Sequence, residues 1–373
     1  MTLAIKNLKI HRPDGRFEEG TLYVRDGRIV APTAADVEID GEGQYACPGM
    51  IDMHTHGRCG GDFCAADVAL LRTMANDYAR RGVTAVLFTL ASDTEENWHA
   101  ALSRAASCGE KSYIGIHFEG CWLAGSRRGA HAPELLRAPS VDELERLITV
   151  SSLPILKISA APELDEDGSF LAACVRNGIH FSIGHTDADH ATAKRALDGG
   201  ADCFTHLFNA MPPLHHRSGG PIAAALTDPR AFVEMICDGI HIAPETVRLA
   251  YRTKGADRFI LISDSMAGTG CPDGTYEIAG QPAVVKDGMA LTPDGKLAGS
   301  TLDLLRGVQN LAAFCEIPFG VALLSATRTP AFYLGMAGER GSLEEGARAD
   351  IFFLNSIDDA MPARVMKDGE WIS

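Results

Sequence analysis

Histidines and carboxylates recur in this chain where short apolar runs end. They are Asp52, His54 and His56, then His117 and Glu119, His185, His206, His241 and Asp264. Imidazole nitrogen and carboxylate oxygen are the donors a divalent transition ion takes, and each is costly to bury without a partner. Several of them converging on one apolar mouth therefore point to a cation that satisfies them together. His54 and His56 are two apart, which on a strand turns both rings to the same face. Alone, such a pair is more often a satisfied core or surface pair, and a lone Glu119 is more often solvated or salt-bridged. The other strand ends tip both toward metal ligation. His11, His99, His180 and His190 fall where no such convergence is expected, and no role is assigned to them.

Strands must carry these groups to a common point. Apolar runs at 50–56, 84–90, 112–120, 154–163, 180–186, 203–209, 232–241 and 259–266 alternate with helical periodicity, as in 66–81 and 188–199. Asp187 is placed to cap the second of these helices, and Gly199 and Gly200 to end it. Eight βα units in succession predict a parallel (β/α)₈ barrel with its site at the C-terminal strand ends, where only the second and fourth strands lack a His or carboxylate. Residues 121–139, after the third strand, exceed an ordinary βα connection and read as a functional loop. Asp26-Gly27, Asp287-Gly288 and Asp368-Gly369 are hairpin turns. The chain ends are β-rich and predict a small β-sandwich domain built from residues 1–49 and 336–373 around a barrel of residues 50–335.

The whole chain has 373 residues, 46% of them hydrophobic, which is enough to bury a core. A net charge of −15 with no basic cluster excludes a nucleic-acid footprint. Apolar runs far shorter than the ~18 residues of a membrane span, and a start without a signal-peptide pattern, predict no membrane association and a cytoplasmic protein. The ten cysteines contain no C-x-x-C pair and read as reduced thiols. Cys59 and Cys64 are only a weak metal signal.

Residues 48–57 (Pro-Gly-Met-Ile-Asp-Met-His-Thr-His-Gly), His117-Phe118-Glu119-Gly120, Gly184-His185-Thr186-Asp187-Ala188 and Thr205-His206-Leu207-Phe208-Asn209-Ala210-Met211 resemble the amidohydrolase superfamily, and within it the N-acetylglucosamine-6-phosphate deacetylases. Arg128-Gly129-Ala130-His131, Ala161-Pro162-Glu163, His216-Arg217, Asp238-Gly239-Ile240-His241, Ser263-Asp264-Ser265-Met266 and Leu297-Ala298-Gly299-Ser300 extend the match from end to end. The resemblance implies that Glu119, His185 and His206 hold the main metal, with His54 and His56 able to hold a second. Zn²⁺ suits this donor set, and Fe²⁺, Mn²⁺ and Co²⁺ fit it too. It further implies that Asp264 takes a proton from the attacking water and passes it to the departing amine, while His131 hydrogen-bonds the substrate near its carbonyl. The phosphate pocket maps to Arg217 and His241 with the backbone of Asn209 and Ala210, and Ala130, Ala298, Gly299 and Ser300 are further substrate contacts. In the family the arginine reaches the neighbouring active site, which implies a homodimer.

The expected reaction is hydrolysis of an N-acetyl amino-sugar 6-phosphate to the amine and acetate. Two readings compete with it: a deacetylase for N-acetylgalactosamine 6-phosphate or an unphosphorylated N-acyl compound, and a non-catalytic sugar-phosphate binding protein. The sequence departs from the family at Cys121, where proline is usual and its loss is expected to loosen the turn, and at Ser265, where alanine is more common.

Overall fold

The structure is a computed structural model that describes residues 1–372. Eight parallel strands form one sheet in chain order: β1 (Met50–Asp52), β2 (Val83–Ala91), β3 (Tyr113–Glu119), β4 (Ile155–Ala160), β5 (His180–Ile183), β6 (Cys203–Phe204), β7 (Phe232–Ile236) and β8 (Phe259–Ile262). All nine residues of β2 are buried, as a strand covered on both faces requires. No ladder joins β8 to β1. The seam is closed instead by the Asp264 N–H donating to the His54 carbonyl at 2.9 Å and by the Ser263 hydroxyl donating to Asp52. The result is the (β/α)₈ barrel that the alternating pattern predicts.

Helices clothe the barrel through apolar faces. In Val68–Arg80 the Asp67 carboxylate caps the Leu70 N–H, and Leu71, Met74, Ala75 and Tyr78 face inward at helical spacing. The helix expected from residue 188 starts two residues later, at His190–Asp198, capped by Asp189. Asp187 does not cap it, because its carboxylate is taken by Arg127 at 2.6 Å.

Both termini contribute to a second sheet. Thr2–His11 pairs along its length with Phe17–Arg25, and on its other edge with Val37–Asp40 and then Tyr45–Pro48. Ile351–Leu354 pairs with Tyr45–Pro48, and Arg364–Lys367 and Glu370–Trp371 follow. His11 Nε2 bonds the Gly320 carbonyl at 2.8 Å and ties this sheet to the barrel's last helices. The Asp287-Gly288 turn belongs to neither terminus. It lies in a separate three-stranded sheet (Gly274–Ile278, Gln281–Lys286, Met289–Leu291) that follows β8. Among the described residues all ten cysteines are free, and no helix is long and apolar enough to cross a membrane.

Candidate active site

The chemistry-bearing residues stand just beyond the strands that present them. Sequence patterning carries β1, β5, β6 and β8 through His56, Thr186, Asn209 and Met266, but the ladders stop at Asp52, Ile183, Phe204 and Ile262. His185, His206 and Asp264 then adopt φ of 47°, 29° and 50°. A pleated strand alternates its side chains between faces, so turning these groups across the mouth means leaving the pleat, at about 1–3 kcal/mol per residue. Specific bonds hold them there: Ser300 N–H to the Asp264 carbonyl at 2.7 Å, and Leu207 N–H to the Glu234 carbonyl at 2.8 Å. Gly184 permits the turn at His185, since a Cβ there would lie 2.7 Å from Thr205 Cβ.

Glu119 is the hub. Its Oε1 lies 3.0 Å from His206 Nε2 and 3.3 Å from His185 Nε2, while Oε2 lies 2.9 Å from His56 Nε2 and 3.2 Å from His54 Nε2. Asp264 Oδ1 joins from 3.3 Å and 3.5 Å of His56 and His54. The outer nitrogens show which inner ones are bare. His54 Nδ1 faces the buried Glu234 carboxylate at 3.1 Å, and His185 Nδ1 faces the Arg127 carbonyl at 2.7 Å, so both must donate outward. In the neutral rings, which are the ones that can ligate, the Nε2 lone pairs of His54 and His185 point at Glu119 oxygens, and His206 Nε2 stands 3.0 Å from His185 Nε2. Converging acceptors of this kind fit a cation. Potential donor atoms of His54, His56, Glu119 and Asp264 all lie within 4.8 Å of one another, as do those of Glu119, His131 and His185.

Electrostatics register the same concentration of negative charge, which either a proton on each ring or a cation at the hub balances. Burial pulls His54 and His56 down, but Glu119 and Asp264 outweigh it and push them up to about 9 and about 10. Burial raises Asp264, yet His54 and His56 hold it at about 2, and it is ionised. Burial, with His185 beside it, pushes His131 down to about 3 and keeps that ring neutral. Burial opposes ionisation of His241, but the Asp238 carboxylate at 2.6 Å outweighs it and raises the ring.

A cavity of about 320 Å³ opens over the hub, lined by His56, Glu119, Ala130, His131, His185, His206, Asn209, Ala210, His241, Asp264 and Gly299. His54 lies beneath it, fully buried. Three expected contacts are not brought together here. Ala298 and Ser300 do not line the cavity: Ala298 N–H binds the Ala290 carbonyl, and the Ser300 hydroxyl binds the Ser263 carbonyl beneath Asp264. Arg217 is exposed on the loop after β6 and lies outside the cavity of its own chain.

The structure also shows what surrounds the hub where the sequence assigns no role. Arg127, Arg128 and Lys296 line the cavity, and the first two stand in the long 121–139 loop, which was a signal for them. Lys157 and Glu234 pair with each other inside the barrel, both with no exposure, and nothing in their spacing marks them. His117 is spent on Thr89 and Ser159 hydroxyls below the hub. The turn at Cys121 is not loose: its N–H binds Ser92 Oγ, its carbonyl accepts the Arg137 N–H, and its sulfur accepts from the Arg137 guanidinium at 2.9 Å. Ser265 points away from the cavity, to Thr55 and the Gly57 carbonyl.

Comparison with known proteins places this arrangement. The Amidohydrolase family model matches residues 45–372. An N-acetylglucosamine-6-phosphate deacetylase of Vibrio furnissii is 38% identical over 83% of this chain and 78% of its own. An N-acetylgalactosamine-6-phosphate deacetylase of Escherichia coli O157:H7 is 32% identical over 95% of this chain and 96% of its own. A mutant N-acetyl-D-glucosamine-6-phosphate deacetylase from Mycobacterium smegmatis, in complex with N-acetyl-D-glucosamine-6-phosphate, superposes with a TM-score of 0.91 at 32% identity, covering 100% of this chain and 99% of that one. Fold, hub and similarity agree that the chain belongs to the amidohydrolase family and, within it, to the N-acetylglucosamine-6-phosphate deacetylases.

Proposed function

We propose that the protein hydrolyses the N-acetyl group of an amino-sugar 6-phosphate, with N-acetylglucosamine 6-phosphate as substrate, giving the amino-sugar 6-phosphate and acetate. The observation that carries this is Glu119 surrounded by four imidazoles with the ionised Asp264 opening onto the same cavity. Glu119, His185 and His206 would hold the main divalent ion, and His54 and His56 a second. Zn²⁺ is the proposed ion, and Fe²⁺, Mn²⁺ and Co²⁺ suit the same donors. When bound, such an ion lowers the pKa of water toward neutrality and polarises a carbonyl.

The chain's own residues do the rest. Asp264 accepts a proton as the water oxygen bonds to the acetyl carbon, then returns it to nitrogen as the C–N bond breaks, so that a neutral amine leaves. The neutral His131 donates to the oxygen on which charge develops. His241, favoured in its cationic form by Asp238, faces the cavity with the Asn209 and Ala210 backbone as an anion-binding wall, and Gly299 and Ala130 shape the sugar's side. Arg217, exposed and outside its own cavity, is proposed to complete a neighbouring site in a homodimer, because an arginine fork matches phosphate. Ten free cysteines support a reducing, cytoplasmic setting. We take residues 1–49 and 336–373 as the small β domain and 50–335 as the catalytic barrel.

The test is release of free amine from N-acetylglucosamine 6-phosphate and N-acetylgalactosamine 6-phosphate by protein whose metal content is determined on the same sample. Turnover of the gluco substrate with at least one ion per chain is expected. Preference for the galacto epimer moves the assignment to the relative of that name, and no turnover by metal-loaded protein leaves the binding-protein reading.

A further inference from the structure

We infer that Ser92 is a positioning residue that fixes the tautomer of His131. The inference rests, for its catalytic consequence, on the reading above in which His131 donates to the substrate carbonyl. Ser92 is the first residue after β2, the strand whose end offers neither histidine nor carboxylate, and it is buried with 2% exposure.

Its hydrogen bonds leave little freedom. The Cys121 N–H donates to Ser92 Oγ at 2.7 Å and fills one side of that oxygen. The hydroxyl proton then has His131 Nδ1 as its acceptor, at 2.8 Å, and the Ser92 backbone N–H reaches the same nitrogen at 3.3 Å. A nitrogen that meets two donors is the bare one of a neutral imidazole, so the ring proton resides on Nε2. The opposite tautomer would set two N–H groups against each other and strand the hydroxyl proton. Nε2 itself lies 3.9 Å from Glu119 Oε2, beyond hydrogen-bonding distance, and its proton is therefore free to meet an oxygen in the cavity.

Two features of the sequence serve this contact. A Cβ at Gly120 would fall 2.3 Å from Ser92 N and 2.5 Å from its Oγ, so only glycine lets the end of β3 approach so closely. Cys121 has φ of 65°, which a proline ring cannot adopt, and it supplies an N–H that proline lacks. The residue expected to loosen the turn instead provides the donor that orients the serine.

Two measurements test the inference on the zinc-loaded protein. First, ¹⁵N-histidine NMR, with the His131 signal identified by its loss in His131→Ala, is expected to place the ring proton on Nε2. In Ser92→Ala the signal should move toward a tautomer mixture. A proton on Nδ1 in the unaltered protein overturns the inference whatever the variants do.

Second, Ser92→Ala should lower kcat about 10-fold with KM within about twofold, and should cost less than about twofold when added to His131→Ala. Equal losses in both backgrounds would show that Ser92 acts through Cys121 or the fold, and would overturn the positioning role. If the NMR result holds but His131→Ala turns over normally, the tautomer stands and the role given to His131 in the reaction falls.

Discussion

At the scale of residues, Glu119 meets four imidazole nitrogens on two oxygens, and Asp264 completes the ring from the side that opens to substrate. The two carboxylates have different roles to play, and substitution should separate them. Asp264→Asn removes the proton acceptor but leaves Glu119, His185 and His206 intact, so turnover should fall at least about 10³-fold while bound metal stays at one ion or more per chain. Amine release measured beside elemental analysis checks this, and an active variant would remove Asp264 from the base role. Residue types were enough to find both carboxylates and all the hub histidines. They were not enough for Ser92, Lys157 or Glu234, because a serine or a mid-strand ion pair has the same signature in any barrel and acquires meaning only from the neighbour it meets.

Elements explain why the strands were legible and their ends were not. The apolar runs place all eight barrel strands correctly, since burial on both faces writes itself as a continuous run. The runs of β1, β5, β6 and β8 continue past their ladders because most residues beyond are just as buried, although at His185, His206 and Asp264 the backbone has turned into left-handed conformations held by long-range bonds. Gly184→Ala tests that dependence. The added methyl must push Thr205 away, moving His185 and His206 apart, and metal affinity should drop at least about 10-fold with the far-ultraviolet spectrum unchanged; a metal titration reads it. Deeper in the barrel, Glu234 links three strands by pairing Lys157 on β4 and receiving His54 Nδ1–H from beyond β1. Glu234→Ala strands a fully buried ammonium, and urea unfolding should show a loss of about 3–5 kcal/mol.

For the whole molecule, the join between terminal sheet and barrel has its own pH dependence. Burial pulls His11 down, although the Gly320 carbonyl opposes this, so the folded ring binds a proton less readily than the unfolded one. Such a group costs no stability above the unfolded pKa near 6.5, and stability is lost as pH falls from there toward the folded value, at about 1.4 kcal/mol per unit of difference. His11→Gln keeps a donor for the Gly320 carbonyl without the titration, and should flatten the urea midpoint of metal-free protein between pH 7 and about 5. Assembly is the remaining question at this scale, and Arg217 decides it. One chain forms a complete hub and cavity yet leaves this arginine exposed outside them. If it completes the neighbouring site, Arg217→Ala and Asp264→Asn disable different halves of a composite site. Co-expressed, half of the dimers are mixed, and each mixed dimer pairs one subunit's intact Asp264 with the other's intact Arg217. Activity should then recover to about a quarter of the unaltered enzyme, where either variant alone is nearly inactive. Recovery no greater than the sum of the separate variants would place Arg217 in its own subunit's function or in none.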